Sequence, residues 1–229
     1  MNIPKHIGII LDGNRRFAKR LMMKPWKGHE WGYEKIKKLF EWIKEIGIKE
    51  VTLYTFSVKN FNRPKDEFEY LMRLFEKAFT EVKDDPRIKN IKINFIGRVS
   101  MFPEGVKNSM KELMESTKNN KKIIVNFAMA YGGREEILDA VKKISKQIKE
   151  GKLDIDQINK DTFGDCMYMN DDVDLIIRTS GEKRTSDFLP WQGHYAELIF
   201  LDKSWPEFEK EDLISCIKEY NSRQRRFGK

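Results

Sequence analysis

The sequence contains little that could cross-link the chain or anchor it in a bilayer. It has only two cysteines, Cys166 and Cys216, and their spacing fits neither a metal site nor a redox motif. A disulfide framework is therefore not expected, and a reducing cytoplasm is the simplest compartment. The first residues lack the layout of a signal peptide, and no apolar run is long enough to cross a membrane. We therefore expect any contact with a membrane to be peripheral.

Repeats, low-complexity segments and Pro/Gly/Ser-rich linkers are also absent, so we expect residues 1–229 to form a single domain. The chain is long enough to bury one substantial core. Basic residues are in excess, because 44 Lys and Arg stand against 36 Asp and Glu and give a formal net charge of +8. This charge favours anionic partners, namely nucleic acid, anionic lipid or phosphorylated small molecules.

Short apolar runs alternate with segments of helical periodicity along the chain. Six runs are predicted to be strands, at residues 7–11, 51–56, 91–96, 123–128, 173–177 and 198–201. This alternation predicts an α/β fold in which a mostly parallel six-stranded sheet is flanked by helices. The helix predicted from Asp66 to Val82 has more apolar positions than one core stripe needs.

The first predicted strand ends at a carboxylate, Asp12. Gly13 allows a sharp backbone turn, and we expect Asn14 to cap a helix that begins with Arg15 and Arg16. A carboxylate in this position can hold Mg²⁺, while backbone amides and guanidinium groups can hold phosphate. A plain Asp-Gly turn between strand and helix is the alternative.

Further polar clusters follow the other predicted strands, at residues 57–63, 132–134 and 178–186. Ligands of parallel α/β sheets bind at the carboxyl ends of the strands, so these clusters are expected to converge on one edge. That edge would hold Arg16, Arg63, Arg178 and Arg184 around Asp12. Four arginines beside one acid suggest a diphosphate with a metal ion, and a solvated basic rim is the alternative.

Eight blocks of this sequence, in order along nearly the whole chain, resemble the cis-prenyltransferase family, which includes the undecaprenyl and dehydrodolichyl diphosphate synthases. The blocks are 12–18 (DGNRRFA), 28–29 (GH), 57–64 (SVKNFNRP), 131–134 (YGGR), 174–182 (DLIIRTSGE), 184–186 (RTS), 191–197 and 225–228 (RRFG). The resemblance implies a transferase that joins isopentenyl diphosphate repeatedly to an allylic diphosphate and makes Z double bonds. The long-chain polyprenyl diphosphate that results is the precursor of a glycosyl carrier lipid. It also implies a homodimer and an apolar tunnel for the product chain.

The resemblance assigns roles to individual residues. Asp12 resembles the essential aspartate that holds Mg²⁺ on the diphosphate, and Glu197 resembles a second acidic metal ligand. Gly13, Asn14, Arg15, Arg16 and His29 match the cradle of the allylic diphosphate, whereas Arg178, Arg184 and Ser186 match the isopentenyl diphosphate site. The remaining substrate-binding matches are Phe17, Ser57, Val58, Lys59, Phe61, Arg63, Thr185 and, in the tail, Arg226. Each has a structural alternative: Arg63 could merely pair with Glu67, and Glu197 could be a surface carboxylate.

Asn60 matches the family's proposed proton-transfer residue. A carboxamide has almost no basicity near neutral pH, so we expect Asn60 to orient the diphosphate or a relay while the departing diphosphate takes the proton. Phe17 and Phe61 stand where bacterial members have tryptophan and still offer an aromatic face to an isoprenoid chain. Pro25 stands where those members have arginine, and whether Lys24 or Lys27 substitutes for it is left open.

Along the helix predicted from Asp66 to Val82, the apolar positions Phe68, Met72, Phe75 and Phe79 are candidates for the tunnel wall, with ordinary core packing as the alternative. In the tail, Arg226 and Gly228 match an Arg-x-Gly element that reaches the partner's active site in the family. The starter is expected to be farnesyl or geranylgeranyl diphosphate.

Two rival functions compete with this interpretation. A nucleic-acid-binding protein should carry a basic stripe interleaved with exposed aromatic residues, and the informative arginines here instead accompany acids at strand ends. A non-catalytic subunit of a heteromeric prenyltransferase should lack the metal-binding acid and the loop residues, yet Asp12, Asn60, Arg63 and Arg184 are all present. We therefore expect an active homodimer that does not bind nucleic acid.

Overall fold

Six parallel strands form one sheet in the computed structural model, which describes residues 2–223. The strands are β1 (His6–Ile10), β2 (Glu50–Ser57), β3 (Ile91–Ile96), β4 (Ile123–Tyr131), β5 (Leu175–Arg178) and β6 (Glu197–Phe200). Their order across the sheet is β3-β4-β2-β1-β5-β6, and every neighbouring pair is parallel. The predicted six-stranded α/β fold is therefore confirmed, with an all-parallel sheet.

Helices flank this sheet. They are α1 (Asn14–Arg20), α2 (Gly28–Ile46), α3 (Lys65–Val82), α4 (Glu104–Thr117), α5 (Gly133–Lys149), α6 (Lys160–Gly164) and α7 (Lys210–Ser222). Short 3₁₀ turns connect several of them, including Val58–Asn62 after β2 and Trp205–Glu207 after β6. The connections after β1, β2 and β5 therefore all leave the sheet at its carboxyl edge.

The largest hydrophobic cluster lies between the sheet and helices α2, α3, α4 and α7. Strand β1 is buried along its whole length, as expected for a central strand of a parallel sheet. Aromatic rings concentrate near α3, where Phe56 contacts Phe61, Phe75 and Phe102 at centroid distances of 5.1 to 5.7 Å. Burial of these rings supplies much of the apolar area removed from water on folding.

The start of α1 differs from the sequence-based expectation. Gly13, not Asn14, occupies the position before the helix, with a left-handed φ of 105°, and no side chain caps the helix. A Cβ at Gly13 would lie within 3.0 Å of Ser180 and Ser204, so the tight approach of three segments selects glycine. Asn14 is the first helical residue, and its Nδ2 donates to the carbonyl of Leu11 at 3.3 Å. The prediction that Asn14 caps α1 was wrong.

The amino edge of the sheet carries a buried polar network. His6 is 1% exposed; its Nδ1 lies 3.1 Å from the carbonyl oxygen of Asp172 and its Nε2 lies 2.8 Å from Oγ1 of Thr52. A carbonyl only accepts, so Nδ1 carries the proton. Burial lowers the pKa of His6 to about 4, so the imidazole is neutral near pH 7. Nearby, Asn126 Nδ2 donates to Glu50 at 2.7 Å. This edge thus holds polar groups that fasten strands to one another.

None of the helices among residues 2–223 combines the length and the apolar character that a membrane span requires.

Candidate active site

Asp12 lies at the carboxyl edge of the sheet, where two guanidinium groups share one of its oxygens. Arg178, the last residue of β5, donates from Nη2 to Asp12 Oδ2 at 2.8 Å, and Arg16 Nη2 lies 3.2 Å from the same oxygen. Arg178 is 5% exposed, and its Nη1 donates to Ser186 Oγ at 2.8 Å and to the carbonyl of Arg184 at 2.6 Å. The predicted convergence of β1 and β5 on this edge is therefore observed.

The backbone of Asp12 is fixed from two further directions. Its carbonyl accepts hydrogen bonds from Thr179 Oγ1 at 2.7 Å and from the Trp205 amide at 2.9 Å. No hydrogen bond from residues 2–223 reaches Oδ1 of Asp12. One carboxylate oxygen is thus held by arginines while the other is left for a ligand.

Glu182 is a member of this cluster that the sequence analysis did not select. Its Oε1 lies 3.4 Å from Arg16 Nη1, and its Oε2 accepts from Arg184 Nη1 at 2.6 Å. Glu182 thereby connects Arg16 of α1 with Arg184 of the loop after β5. The available signal was its position as the only acid between Arg178 and Arg184.

A second basic cluster lies at the start of α3. Arg63 Nη1 lies 3.0 Å from Glu67 Oε1 and 3.2 Å from His29 Nε2. The alternative that Arg63 pairs with Glu67 is therefore realised, and it brings Arg63 beside His29 as well. Arg15 Nη2 lies 3.5 Å from the second Glu67 oxygen. The i,i+4 spacing of Arg63 and Glu67 predicted this pair. It did not predict that Arg15 and His29 also lie near the buried carboxylate of Glu67.

His29 is neutral in this arrangement. A guanidinium only donates, so Nε2 of His29 accepts from Arg63 and the proton is on Nδ1. Burial lowers the pKa of His29, and the neighbouring Arg63 charge acts in the same direction despite the opposing effect of Glu67. Burial likewise lowers the pKa of Arg63. His29 therefore offers an N–H donor without a charge of its own.

The loop after β2 orients Asn60. The side-chain Oδ1 of Asn60 accepts from the Ser57 amide at 3.0 Å, as part of a reciprocal cap around the 3₁₀ turn. Its acceptor is therefore used within the loop, and its Nδ2 remains to donate. This geometry suits the orientation of an anionic oxygen better than the removal of a proton.

A central cavity of about 490 Å³ opens among these groups. Its polar lining includes Asp12, Asn14, Arg16, His29, Ser57, Asn60, Arg63, Arg178, Glu182, Arg184 and Ser186. Its apolar lining comes from α2, α3, α4 and the sheet, and includes Phe40, Phe56, Leu71, Phe75, Phe79, Val82, Leu113 and Phe127. One cavity thus joins a charged region to an aromatic and aliphatic region.

Two further polar cavities share lining residues with the central cavity. We call the first the α1 cavity; it measures about 320 Å³ and is lined by residues 11–16, Lys19, His29 and Arg63. We call the second the β4 cavity; its lining includes Ser57, Val58, Lys59, Asn60, Arg134, Arg184, Ser186 and Asp187. Most of the site residues predicted from the sequence line at least one of the three cavities.

The structure does not bring every predicted site residue into these cavities. Phe17 packs on Trp31, Phe61 packs on Phe56 and Phe102, and Thr185 lines none of the three. Glu197 begins β6 at the opposite, amino edge of the sheet, where its Oε2 accepts from Arg223 Nη1 at 2.6 Å. Within one chain Glu197 is therefore not brought to Asp12. Arg226 and Gly228 lie outside the described residues.

Lys24 and Lys27, the candidates to replace the family's extra arginine, contact other groups in this arrangement. Lys24 Nζ lies 5.3 Å from the centroid of the Trp26 ring, and Lys27 Nζ pairs with Glu30 at 3.0 Å. Neither lysine lines the central or the α1 cavity.

The donor set at Asp12 fits a metal that the substrate completes. Residues 2–223 contain no group of three or more Asp, Glu, His or Cys side chains placed to hold a metal ion. Mg²⁺ is commonly held by one or two carboxylates together with substrate phosphates, rather than by a cage of protein ligands. Asp12, with Oδ1 available and Arg16 and Arg178 on Oδ2, matches the protein share of such a site. Of the four arginines expected around Asp12, Arg63 and Arg184 instead pair with Glu67 and Glu182.

Comparison with known proteins gives a consistent result. The family model described as "Putative undecaprenyl diphosphate synthase" matches residues 10–228. The chain is 45% identical over 231 residues to a protein of Methanopyrus kandleri, covering 99% of this chain and 85% of that protein. It is also 45% identical over 234 residues to a protein of Methanocaldococcus jannaschii, covering 100% of this chain and 84% of the other. Both relatives are named tritrans,polycis-undecaprenyl-diphosphate synthase (geranylgeranyl-diphosphate specific).

Two solved structures share the fold along their whole length. Lavandulyl diphosphate synthase from Lavandula x intermedia, solved in complex with dimethylallyl diphosphate, superposes with a TM-score of 0.93 at 33% identity, and 99% of each chain is covered. A probable undecaprenyl diphosphate synthase from Campylobacter jejuni superposes with a TM-score of 0.83 at 32% identity, and 100% of each chain is covered.

Proposed function

Because the chain belongs to the undecaprenyl diphosphate synthase family of cis-prenyltransferases, we propose that it elongates geranylgeranyl diphosphate with isopentenyl diphosphate. Each condensation adds one unit with a Z double bond, and the product is a long-chain polyprenyl diphosphate that serves as precursor of a glycosyl carrier lipid. The starter follows from the names of the archaeal relatives, which specify geranylgeranyl diphosphate. The sequence alone left both farnesyl and geranylgeranyl diphosphate as possible starters, and we propose the second.

The observation that carries the proposal is the composition of the central cavity. Asp12 and the arginines at its charged end suit diphosphate groups, whereas the rings of α3 suit an isoprenoid chain. A long apolar chain with a diphosphate head is the ligand class that fits both regions at once. A nucleotide or a polar sugar phosphate would leave the aromatic region without a partner.

The two diphosphates are assigned to the two sides of Asp12. The α1 cavity, with Gly13, Asn14, Arg15, Arg16 and His29, would hold the allylic diphosphate near the start of α1. The β4 side, with Arg178, Arg184 and Ser186, would hold isopentenyl diphosphate, and Thr185 lies in the same loop. Arg63 and the loop residues Ser57, Val58, Lys59 and Asn60 lie between these regions.

In this reaction the protein must stabilise the departing diphosphate and direct the removal of one proton. The allylic carbon–oxygen bond breaks, its electron pair goes to the diphosphate, and the double bond of isopentenyl diphosphate attacks the allylic carbon. Arginines of the α1 side stabilise the charge on the departing diphosphate. A proton then leaves the former isopentenyl unit, and the released diphosphate accepts it while Asn60 Nδ2 orients its oxygens. When bound at Asp12, Mg²⁺ would add charge neutralisation on the diphosphate.

The growing chain is proposed to occupy the apolar part of the central cavity, which becomes the product tunnel. Phe75 and Phe79 line this region as the sequence suggested, whereas Phe68 and Met72 do not and belong to the packed core. We further propose that residues 1–229 act as one catalytic domain in a cytoplasmic homodimer. In that dimer, Glu197 would act as a metal ligand only if the assembly brings it to a substrate, since its own Asp12 is at the other edge.

The deciding experiment supplies radiolabelled isopentenyl diphosphate with C10, C15 or C20 allylic diphosphates and separates the dephosphorylated products by thin-layer chromatography. We expect Mg²⁺-dependent formation of long products, with the C20 starter used most efficiently. Preference for the C10 or C15 starter would refute the choice of geranylgeranyl diphosphate. Absence of elongation with all three would refute the function.

A further inference from the structure

An exposed apolar and basic surface follows α1 and is not used by the proposed reaction. Met22 is 96% exposed, and the neighbouring Leu21 and Trp31 are 45% and 51% exposed. We call Lys19–Lys24 together with Trp31 the turn patch. Large apolar side chains this exposed, and grouped, mark interaction surfaces more often than isolated ones do.

Phe17, a buried residue of α1, contacts two members of the turn patch. The Phe17 and Trp31 ring centroids lie 5.6 Å apart, and the Arg20 guanidinium lies 5.6 Å from the Phe17 centroid. The Leu21 amide donates to the Phe17 carbonyl, which places Leu21 on the following turn of the same helix. Arg20 and Trp31, which are separated in sequence, therefore lie against the same residue of α1.

The conformation of Met22 adds a second observation. Its φ is 56°, a left-handed value at which glycine and asparagine are more usual. Met22 thus exposes a long apolar side chain to solvent. Glycine or asparagine at this position would adopt the left-handed backbone conformation with less strain. Neither folding nor the proposed reaction explains this choice, because Met22 lines none of the three cavities.

The charges of the turn patch favour binding to an anionic surface. Lys19 and Lys24 make no ion pair with any residue in the 2–223 range, so their charges are available. Arg20 pairs with Glu207, and Lys27 pairs with Glu30, so four basic residues face two acids. An apolar tip with Trp and flanking lysines is the combination that binds the interface of an anionic bilayer.

We propose that the turn patch docks the enzyme on the surface of an anionic lipid bilayer, with Leu21, Met22 and Trp31 inserted between headgroups. The inference rests on the proposed function, because substrate and product are lipids that must exchange with a membrane. Lys19 also lines the α1 cavity, so docking here would place the diphosphate cradle beside the headgroup layer. Insertion of Met22 would also explain its exposure.

The rival surface lies at the opposite edge of the sheet. A groove of about 770 Å³ there is lined by Lys44, Lys49, Lys89, Lys121 and Lys122, with no acidic residue in its lining. It contains no aromatic residue and no exposed large apolar side chain, so it lacks groups that would insert into a bilayer or stack on bases. We call it the lysine groove, and it supplies a control of matched charge.

The experiment measures binding of the full chain to vesicles by co-sedimentation. One set contains phosphatidylcholine alone, and the other contains phosphatidylcholine and phosphatidylglycerol in a ratio of about 3:1. We expect binding to the anionic set only, weakened roughly tenfold or more by Met22→Asp. Replacement of Lys19 and Lys24 by Gln should weaken binding about fivefold for each lysine. Lys121→Gln with Lys122→Gln should leave binding unchanged.

A spectroscopic readout separates insertion from attraction by charge alone. Lipids brominated in their acyl chains should quench part of the tryptophan fluorescence of the bound protein, and Trp31→Phe should abolish that part. Trp42 and Trp205 are buried and serve as internal references. Turnover of Met22→Asp in detergent should equal that of the unaltered enzyme, which shows that the variant is folded.

Three results would overturn the proposal. They are equal binding of the unaltered chain and Met22→Asp, loss of binding in the lysine-groove variant instead, and binding to single-stranded RNA without binding to vesicles. Failure of the reaction itself would appear separately, as absent turnover in detergent with vesicle binding intact.

Discussion

At the scale of single residues, Asp12 combines two tasks that are usually divided between residues. Its Oδ2 fixes Arg16 and Arg178, and its Oδ1 stays available to a ligand. We predict that Asp12→Ala loses turnover by at least about a hundredfold to a thousandfold, since a preorganised charge at the leaving group is removed. Steady-state rates with and without EDTA check this, and circular dichroism confirms folding.

A matched control is available for this measurement. Asp202→Ala removes an exposed carboxylate that lies just after β6 and makes no ion pair within residues 2–223. Its turnover should be near normal. Normal turnover of Asp12→Ala, or full activity of the unaltered enzyme in EDTA, would contradict the assigned role.

Arg184 and Arg16 test the division of the site into two diphosphate regions. Arg184 lines the β4 cavity and Arg16 lines the α1 cavity, although both contact Glu182. Arg184→Ala should raise KM for isopentenyl diphosphate about tenfold or more, because a charge-assisted hydrogen bond is lost, with a much smaller effect on the allylic KM. Arg16→Ala should show the reverse pattern. Equal effects on both substrates in either variant would show that the regions are wrongly assigned.

His6 makes stability depend on pH at the edge remote from the chemistry. Burial lowers its pKa from 6.5 to about 4, so its contribution to stability is complete above pH 6.5 and decreases as pH falls towards 4. At pH 5 this amounts to about 2 kcal/mol of lost unfolding free energy. Glu50, whose pKa burial raises, acts in the opposite direction but is unchanged in a His6 variant.

Urea unfolding at pH 7.5 and pH 5 measures this effect. The loss of unfolding free energy between these pH values should be smaller in His6→Gln by about 2 kcal/mol. Identical losses in the variant and the unaltered protein would show that His6 is not the responsible group.

At the scale of elements, α3 offers a matched pair of buried residues on one helix. Phe75 is 9% exposed and lines the central cavity, whereas Met72 is 6% exposed and does not. Either change to Ala costs roughly 2 to 5 kcal/mol of stability. Phe75→Ala should lengthen the products or broaden their distribution, while Met72→Ala should leave them unchanged. Unaltered products from both variants, or longer products from Met72→Ala, would exclude Phe75 as the limiting residue.

Elements were predictable from the sequence to different degrees, for physical reasons. Strands β1 to β6 were found because short apolar runs between polar clusters are typical of buried parallel strands. The cap of α1 was missed because its geometry depends on Ser180 and Ser204, which arrive from distant segments. Glu182 and the gathering role of Glu67 were missed for the same reason, since their partners are set by packing between elements.

The same limit applies to apolar residues of the site. Phe68, Met72, Phe75 and Phe79 share a helix and a periodicity, so the sequence could not separate those facing the cavity from those facing the core. Phe17 and Phe61 likewise carried the right chemistry but face Trp31 and Phe102 instead. The direction of a side chain on a helix surrounded by packing partners is decided by tertiary structure.

At the scale of the whole molecule, the position of Arg223 bears on which active site the tail can serve. Arg223 Nη1 donates to Glu197 Oε2 at the amino edge of the sheet, whereas Asp12 lies at the carboxyl edge. The last described residue is thus tied to the edge opposite to the Asp12 of its own chain. We predict, as the family resemblance implies, that the tail serves the partner's site.

Complementation between two inactive variants tests this arrangement. Asp12→Ala and Arg226→Ala are unfolded and refolded together, which forms mixed dimers. In a mixed dimer the Arg226→Ala subunit keeps its own Asp12 and receives an intact tail, so partial activity should return. If the tail serves its own subunit, no mixed dimer has a complete site and the mixture stays inactive. A monomer in solution would also refute the arrangement.

The hydrogen bond between Asp12 and Arg178 joins residues 166 positions apart, and this separation has a consequence for how the protein is made. Strands β1, β2, β3 and β4 can pair once about half of the chain has left the ribosome, whereas β5 must later insert beside β1 at an edge left open until then. High contact order of this kind slows folding and prolongs exposure of an unpaired strand. A nascent chain lacking β5 can therefore form four of the six strands but no diphosphate site. Its unpaired β1 edge is the strand most exposed to aggregation.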